Sequence, residues 1–328
     1  MFFRNALLAV ALVTTAANWC AGEVTVARVD YGVVVKIDGQ PFAEYRIRSG
    51  AKPIVWPIYG PAGVPLTRDF PMKESPGEAH DHPHHRSFWL TYGDVNGVNF
   101  WGEHVAGDKE KIGATVHREF VKVEGGPQGV IVARNDWIAP DGKKQCEDQR
   151  RLTFAADGDV RWIDFDATIT ASNGPVHFGD TKEGGFGIRI AETIKVDAKL
   201  GGRIVNSEGQ SDAGAWGKRA AWVDYHGPVG GQTVGVAILN HPSSFRYPTY
   251  WHVRTYGLFT ANPFGVRDFT GDTKSDGSYE LPSGKSLHLR YRLILHNGDE
   301  KEGRIAKFFA AYAKEKVSSV GSQKDRYL

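Results

Sequence analysis

From Glu23 to Ile37 the chain alternates apolar and polar residues: Val24, Val26 and Val29, then Val33, Val35 and Ile37. A period of two sends successive side chains to opposite faces of a half-buried strand. Strand-like segments of five to nine residues recur at Phe42–Ile47, Ile112–Glu119, Gly129–Asp136, Gln149–Phe154, Arg161–Ile169, Phe186–Ile190, Ala221–Tyr225, Thr233–Leu239 and Leu287–Leu295. Turn signals punctuate them, among them Asp38-Gly39, Gly125-Gly126-Pro127, Asp141-Gly142, Asp157-Gly158, Gly201-Gly202 and Gly230-Gly231. Such spacing leaves no room for βαβ crossovers and predicts a meander. Only Arg304–Lys314 repeats as a helix does, with Ile305, Phe308, Phe309 and Tyr312 on one face. The expected fold is all-β: a large two-sheet antiparallel β-sandwich of roughly fifteen strands with one C-terminal helix. Lys52–Pro61 carries three prolines and reads as an edge or a rigid crossover, because proline cannot donate to a central ladder.

Charge excludes some partners. The chain has 328 residues with 40 basic and 38 acidic ones, a net charge of +2, and no block of one sign. The electrostatic footprint of a nucleic-acid binder is missing. At the N-terminus Arg4 precedes an apolar core, Ala6 to Val13, too short to span a bilayer, and then small residues. Residues 1–22 therefore read as a signal peptide, 23–317 as a single β-sandwich domain and 318–328 as a polar tail. The expected location is exported, periplasmic or extracellular, with no membrane span. With Cys20 in the leader, Cys146 is the only thiol left and is expected in a half-buried strand.

Three stretches concentrate chemistry. In the first, His80, His82, His84 and His85 lie with Asp81 and Arg86 inside seven positions. If 80–84 is extended, as Pro83 favours for His82, then His80, His82 and His84 share one face and Asp81 takes the other. Three imidazoles on one face could ligate a metal such as zinc. Without a metal, one or two would carry protons or bind oxygen, with Arg86 holding a negative or carbonyl oxygen. The aromatic and polar stretch after the run, Leu90–His104, suits a pocket wall better than a core strand. In the second, His177–Arg189, glycines surround Lys182 and Glu183, a possible acid/base pair. No phosphate-loop spacing is present there. In the third, His241–Gly265, Tyr250, His252, Arg254 and Tyr256 are expected to share one face. That face offers aromatic platforms, a titratable group and a fixed cation, which suit sugar rings and their hydroxyls.

In order along the chain, His80–Trp89, Gly179–Arg189 and Tyr247–Gly265 resemble the bacterial family labelled PmoA, or methane oxygenase PmoA, otherwise a domain of unknown function. A particulate methane monooxygenase subunit crosses the membrane by several apolar helices. This chain has no such stretch after its leader, so methane oxidation is not expected. Lys52–Pro61 followed by a histidine-containing stretch is also similar to the early part of galactose-mutarotase-like proteins. That resemblance implies a supersandwich fold that binds sugars and uses His and Glu for proton transfer.

The expected function is a carbohydrate-active enzyme of epimerase, lyase or hydrolase type using His/Glu acid–base chemistry. His82, His85, Glu183 and His252 are the candidate catalytic residues. His80, His84, Arg86, Lys182, Tyr250, Arg254 and Asn262 are the candidate substrate contacts. The expected partner is a small molecule or glycan, with no cofactor. The alternatives are a non-catalytic carbohydrate-binding protein and a His-ligated metalloprotein.

Overall fold

The structure is a computed structural model, described here for residues 22–103 and 111–316. The expected export segment and polar tail fall outside those residues, apart from Gly22. In chain order the strands are β1 (Val24–Val29), β2 (Gly32–Ile37), β3 (Gln40–Ser49), β4 (Lys52–Ile58), β5 (Phe88–Tyr92) and β6 (Ala114–Glu124). They continue with β7 (Gly129–Ile138), β8 (Lys144–Asp157), β9 (Val160–Thr170), β10 (Val176–Phe178), β11 (Gly184–Arg189) and β12 (Arg203–Asn206). The last are β13 (Trp222–Val229), β14 (Gln232–Asn240), β15 (Tyr250–Val253), β16 (Leu258–Asn262), β17 (Tyr279–Leu281) and β18 (Ser286–Asn297). Two short helices, α1 (Val266–Thr270) and α2 (Ile305–Tyr312), complete the described elements, with two 3₁₀ turns. No described helix is long and apolar enough to cross a membrane.

The strands form two eight-stranded antiparallel sheets and one small pair, β10–β17. The first sheet runs β1-β2-β3-β4-β5-β11-β16-β15 and the second β12-β13-β14-β18-β9-β8-β7-β6. Their inner faces meet through aromatic contacts: Phe42 on Phe154, Phe88 on Phe165 and Phe186 on Tyr291. The expected two-sheet sandwich is therefore observed, and the alternation that marked β8, β9 and β18 is the alternation between core and outer face. Helix α2 lies where its period placed it, with Ile305 and Tyr312 buried on the outer face of the second sheet against Ala237, Leu239 and Ile294. Cys146 is fully buried in β8 rather than half-buried.

Two expectations are corrected. Lys52–Ile58 is a strand inside the first sheet, not an edge or crossover. The prolines are tolerated because the β3–β4 register breaks twice, between Ala43 and Tyr45 and between Arg46 and Ser49. On its other side β4 pairs with β5 only at Val55 and Phe88, so few ladder donors are demanded. Leu90–Tyr92, placed at the head of a pocket wall, belongs to the buried central strand Phe88–Tyr92. It serves both purposes: Phe88, Leu90 and Tyr92 enter the core, while Trp89 and Thr91 face outward.

Candidate functional site

Register brings the three stretches onto one face. Trp89 of β5 pairs with Gly187 of β11, Gly187 with Thr260 of β16, and Thr260 with His252 of β15. Directly paired residues share a sheet face, so Trp89, Gly187, Thr260 and His252 form one outward row. The neighbouring residues Phe88, Ile188, Phe259 and Val253 form the core row. Glycine is required at the centre of the outer row, since a Cβ on Gly187 would lie 2.6 Å from Thr260 Cγ2. Two positions along, Gly185 has φ +95° and a Cβ there would meet the Ala261 carbonyl oxygen.

The histidine run is not extended. His82 has φ +46°, and the His85 amide donates to the His82 carbonyl at 2.9 Å, closing a turn with Pro83 at its second position. Proline's fixed φ suits that position, and this overrides the extended geometry expected before a proline. His80, His82 and His84 therefore do not line one face. His80 stacks on Phe70 at 4.6 Å and meets Glu74 at 2.9 Å, apart from the rest. His82 stacks between Tyr256, at 5.3 Å, and His85, at 4.7 Å, and His85 stacks in turn on Trp89 at 5.6 Å. His84 stands edge-on to His85 at 4.4 Å and to Trp101 at 6.1 Å.

Asp81 is the electrostatic hub. Its carboxylate accepts from Arg68, from Arg189 Nη2 at 2.9 and 3.1 Å, and from His82 Nδ1 at 2.8 Å. Burial alone would raise the Asp81 carboxyl, but Arg189, the His82 hydrogen bond and Arg68 hold it down to about 2. It thus stays ionised and orients His82, leaving His82 Nε2 for a ligand. Arg189 Nη1 donates to His85 Nδ1 at 3.4 Å, which places the proton of neutral His85 on Nε2. That Nε2 is buried without a partner among the described residues, as are Trp89 Nε1, Trp101 Nε1 and Thr91 Oγ1 nearby. Burial drives the His85 imidazole well below its usual range, with the adjacent cations adding to the effect. Burial likewise brings His84 to about 3, with Lys52, Arg68 and Arg189 contributing.

Arg86 is not free. Its guanidinium makes a two-pronged pair with Glu103 at 2.6 and 2.7 Å and reaches Ser49 Oγ at 3.1 Å. Lys52, fully buried, lies 3.6 Å from the same carboxylate and donates to the Trp101 carbonyl at 3.3 Å. Burial lowers Lys52 to about 8 against the pull of Glu103, and Arg86 lowers it further.

The glycine-rich loop is held from beneath. Asn262 Nδ2 donates to the Thr181 and Lys182 carbonyls at 3.0 Å each, and its Oδ1 accepts from the Phe264 and Gly265 amides. With every polar atom used, Asn262 positions the loop. His252 Nδ1 donates to the Lys182 carbonyl at 3.1 Å. Burial brings His252 to about 4, so its imidazole is neutral and Nε2 is an acceptor. Lys182 and Glu183 form a half-exposed ion pair at 3.4 Å. Tyr250 stacks on Phe269 of α1 at 5.5 Å.

Tyr256 joins the three stretches. It stacks on His82, and the Arg189 and Arg254 guanidiniums lie over its ring at 4.9 and 5.6 Å. Burial raises its phenol, Arg189 and Arg254 oppose that rise, and Glu183 and Asp81 add to it. All four charged groups thus act on one ring. His82, His84, His85, Glu183, Arg254 and Tyr256 gather here, with His252 in the same outward row. His80 and Tyr250 lie to the sides, and Arg86 and Asn262 serve as supports. Asp81, Arg189, Arg68, Lys52 and Glu103 were not among the candidates. Asp81, inside the histidine run, and Arg189, at the end of the glycine-rich stretch, had a signal in the sequence.

Two other features compete for attention. A cavity of about 710 Å³ lies on the outer face of the second sheet, lined by Arg118, Arg134, Arg151, Asp166, His288 and Arg290 among others. It gathers none of the shifted imidazoles just described, and such shifts mark functional sites better than volume does. Asp224, His226 and Glu300 are the one described group of three with ligating atoms within 4.8 Å of one another. Asp224 there also accepts from His226 Nδ1 at 2.6 Å and His296 Nε2 at 2.7 Å.

Comparison with curated sequences finds no match. Among solved structures, an α-galactosidase from Lactobacillus brevis is similar at 10% identity and TM-score 0.41, covering 85% of this chain and 40% of that one. A GH36 α-galactosidase from Geobacillus stearothermophilus is similar at 11% identity and TM-score 0.37, covering 84% and 40%. A Glycoside Hydrolase Family 97 enzyme from Pseudoalteromonas sp. strain K8 is similar at 10% identity and TM-score 0.32, covering 84% and 34%. The chain thus spans 40% or less of each of these structures. A family model matches residues 32–310, most of the chain, and the protein belongs to that family, the family of unknown function DUF6807.

Proposed function

We propose that this protein is an enzyme acting on a sugar by acid–base chemistry at the Tyr256 face. The observation that carries the reading is the meeting of three distant stretches around Tyr256, where an oriented histidine stacks on the ring and the Glu183 charge acts on its phenol. His82 is the acid/base group: Asp81 fixes its Nδ1–H, and its side chain is 42% exposed, open to a ligand. Glu183, 39% exposed, is the second proton-transfer group. His85, buried and neutral, holds the stack between His82 and Trp89 and does not take part in proton transfer. Tyr256, held between His82 and the two guanidiniums, offers its rim to the sugar, and the buried Trp101 backs His84 and His85. In this reading Arg86 and Asn262 act through Glu103 and the loop rather than on substrate.

The test is turnover on a panel of free sugars and glycosides, read by NMR, for the wild type, His82→Gln and Glu183→Gln. We expect each substitution to lower kcat/KM by about 10²-fold or more, with unchanged circular dichroism. Binding without turnover on the whole panel would replace the enzyme reading with that of a binding protein.

A further inference from the structure

Charge on the Tyr256 face is unbalanced. Lys52, Arg68, Arg86, Lys182, Arg189 and Arg254 are cations here, against Asp81, Glu103 and Glu183, with Glu78 acting on Arg68 and Asp268 beside Lys182. Asp81 serves both Arg68 and Arg189, and Glu103 serves both Arg86 and Lys52. His84 and His85 are neutral and add no charge to the face.

Arg254 stands out among these cations. Its guanidinium lies over Trp216 and over Tyr256, 5.6 Å from each ring centroid, and has no carboxylate partner among the described residues. Two rings hold the cation in place while its N–H edge remains available. A guanidinium ordered in this way can take a planar carboxylate on two parallel hydrogen bonds with little loss of freedom. A guanidinium takes phosphate on the same two-pronged edge, so what separates the two anions is the backbone around it. Phosphate favours a nest of free backbone amides, and the adjacent loop has filled its own nest. The Lys182 amide donates to Asp268, the Glu183 amide to Thr181, and the Arg267 and Gly277 amides to Asp180.

We infer that the sugar taken at this face is acidic, a uronate whose carboxylate is received by Arg254. The inference rests on the sugar reading above and names its substrate class. The Arg254 edge would anchor the carboxylate beside Tyr256 and present the ring to His82 and Glu183.

The test is calorimetric binding of glucuronate and galacturonate to the full chain, beside glucose, galactose, glucose 6-phosphate and a sulfated glucose, at low and high salt. We expect a uronate to bind at least about tenfold more tightly than its neutral counterpart, with the margin shrinking as salt rises. Arg254→Met should abolish the margin. Arg254→Lys, which keeps the charge without the fork, should retain only part of it, and circular dichroism confirms that both variants are folded. Equal or tighter binding of the neutral sugar, preference for phosphate or sulfate, a margin unmoved in Arg254→Met, or no binding by any probe would each overturn the inference. Neutral-sugar turnover that depends on His82 and Glu183 would leave the acid–base reading standing while this inference falls. Arg254-dependent uronate binding without turnover would do the reverse.

Discussion

Replacing Lys52 with methionine should make the protein more stable at neutral pH and less able to bind its ligand. Lys52 is fully buried beside Trp89 and Trp101, and its ammonium has only a long contact to Glu103 and one carbonyl. Its folded value is about 8, against 10.5 for an ordinary lysine. Between those pH values the unfolded chain binds more protons than the folded one, so stability rises with pH across that window. At about 1.36 kcal/mol per pH unit, the rise attributable to Lys52 is at most roughly 3 kcal/mol. Methionine fills nearly the same space without a charge to desolvate. Lys52→Met should therefore exceed the wild type by about 1–3 kcal/mol at pH 7, with the gap closing towards pH 10.5. Urea denaturation of both proteins at pH 7, 9 and 10.5 measures the gap directly. A variant no more stable at pH 7, or a gap that does not vary with pH, would refute the reasoning. The expected trade of stability for binding is what a functional rather than structural charge produces.

Other perturbations report on other parts of the molecule. Asp224→Asn removes the partner of two histidines, and should cost about 3–5 kcal/mol at pH 6. His226 and His296 are both raised above 6.5 by Asp224 despite burial, so their contribution is present below 6.5 and fades as pH rises through the folded values. Asp224 itself is lowered from 3.8, so its contribution persists above 3.8 and is lost on acidification. The denaturation penalty of Asp224→Asn should accordingly be larger at pH 6 than at pH 9. Gly185→Ala, at φ +95° and against a backbone carbonyl, should cost about 3 kcal/mol or more and lower the thermal midpoint sharply. Asp81→Asn should reduce turnover by about 10²-fold or more, because it releases His82 and leaves Arg68 and Arg189 facing each other. Kinetics on the sugar panel, with the imidazole signals followed by NMR, would separate the loss of His82 orientation from unfolding.

The sandwich was legible because its strands solve the same problem repeatedly. Residues such as Val33, Val35 and Ile37, or Leu287, Leu289 and Leu293, must alternate if one face of a strand is to be dry. β4 escaped because prolines hide a strand whose ladder is incomplete, and β5 because its outward Trp89 and Thr91 blur the pattern. At the site, residue types were legible and their partners were not. His82, Glu183 and Arg254 could be picked out as chemistry-bearing. That Asp81 would turn towards the histidines depended on the left-handed backbone at His82, which no pattern of side chains announces. Arg86 looked like a free cation because Glu103, seventeen positions later, is paired with it only by the fold. Arg189 closes the glycine-rich stretch His177–Arg189, yet it is buried and links Asp81, His85 and Tyr256.

Strand β11 does two jobs on alternate residues. Phe186 and Ile188 anchor the core, while Gly185, Gly187 and Arg189 make the floor and rear wall of the Tyr256 face. Selection on this strand should therefore have a period of two in its cause as well as in its pattern. Changes at 186 and 188 are judged by volume and act on folding. Those at 187 and 189 are judged by reach and charge, and act on the site. A one-residue slip would exchange the two vocabularies entirely, putting phenylalanine under the ligand and arginine into the core. Variants of the strand should sort into two classes by odd and even position, and the mature site cannot be retuned at this strand without leaving the core's residues where they are.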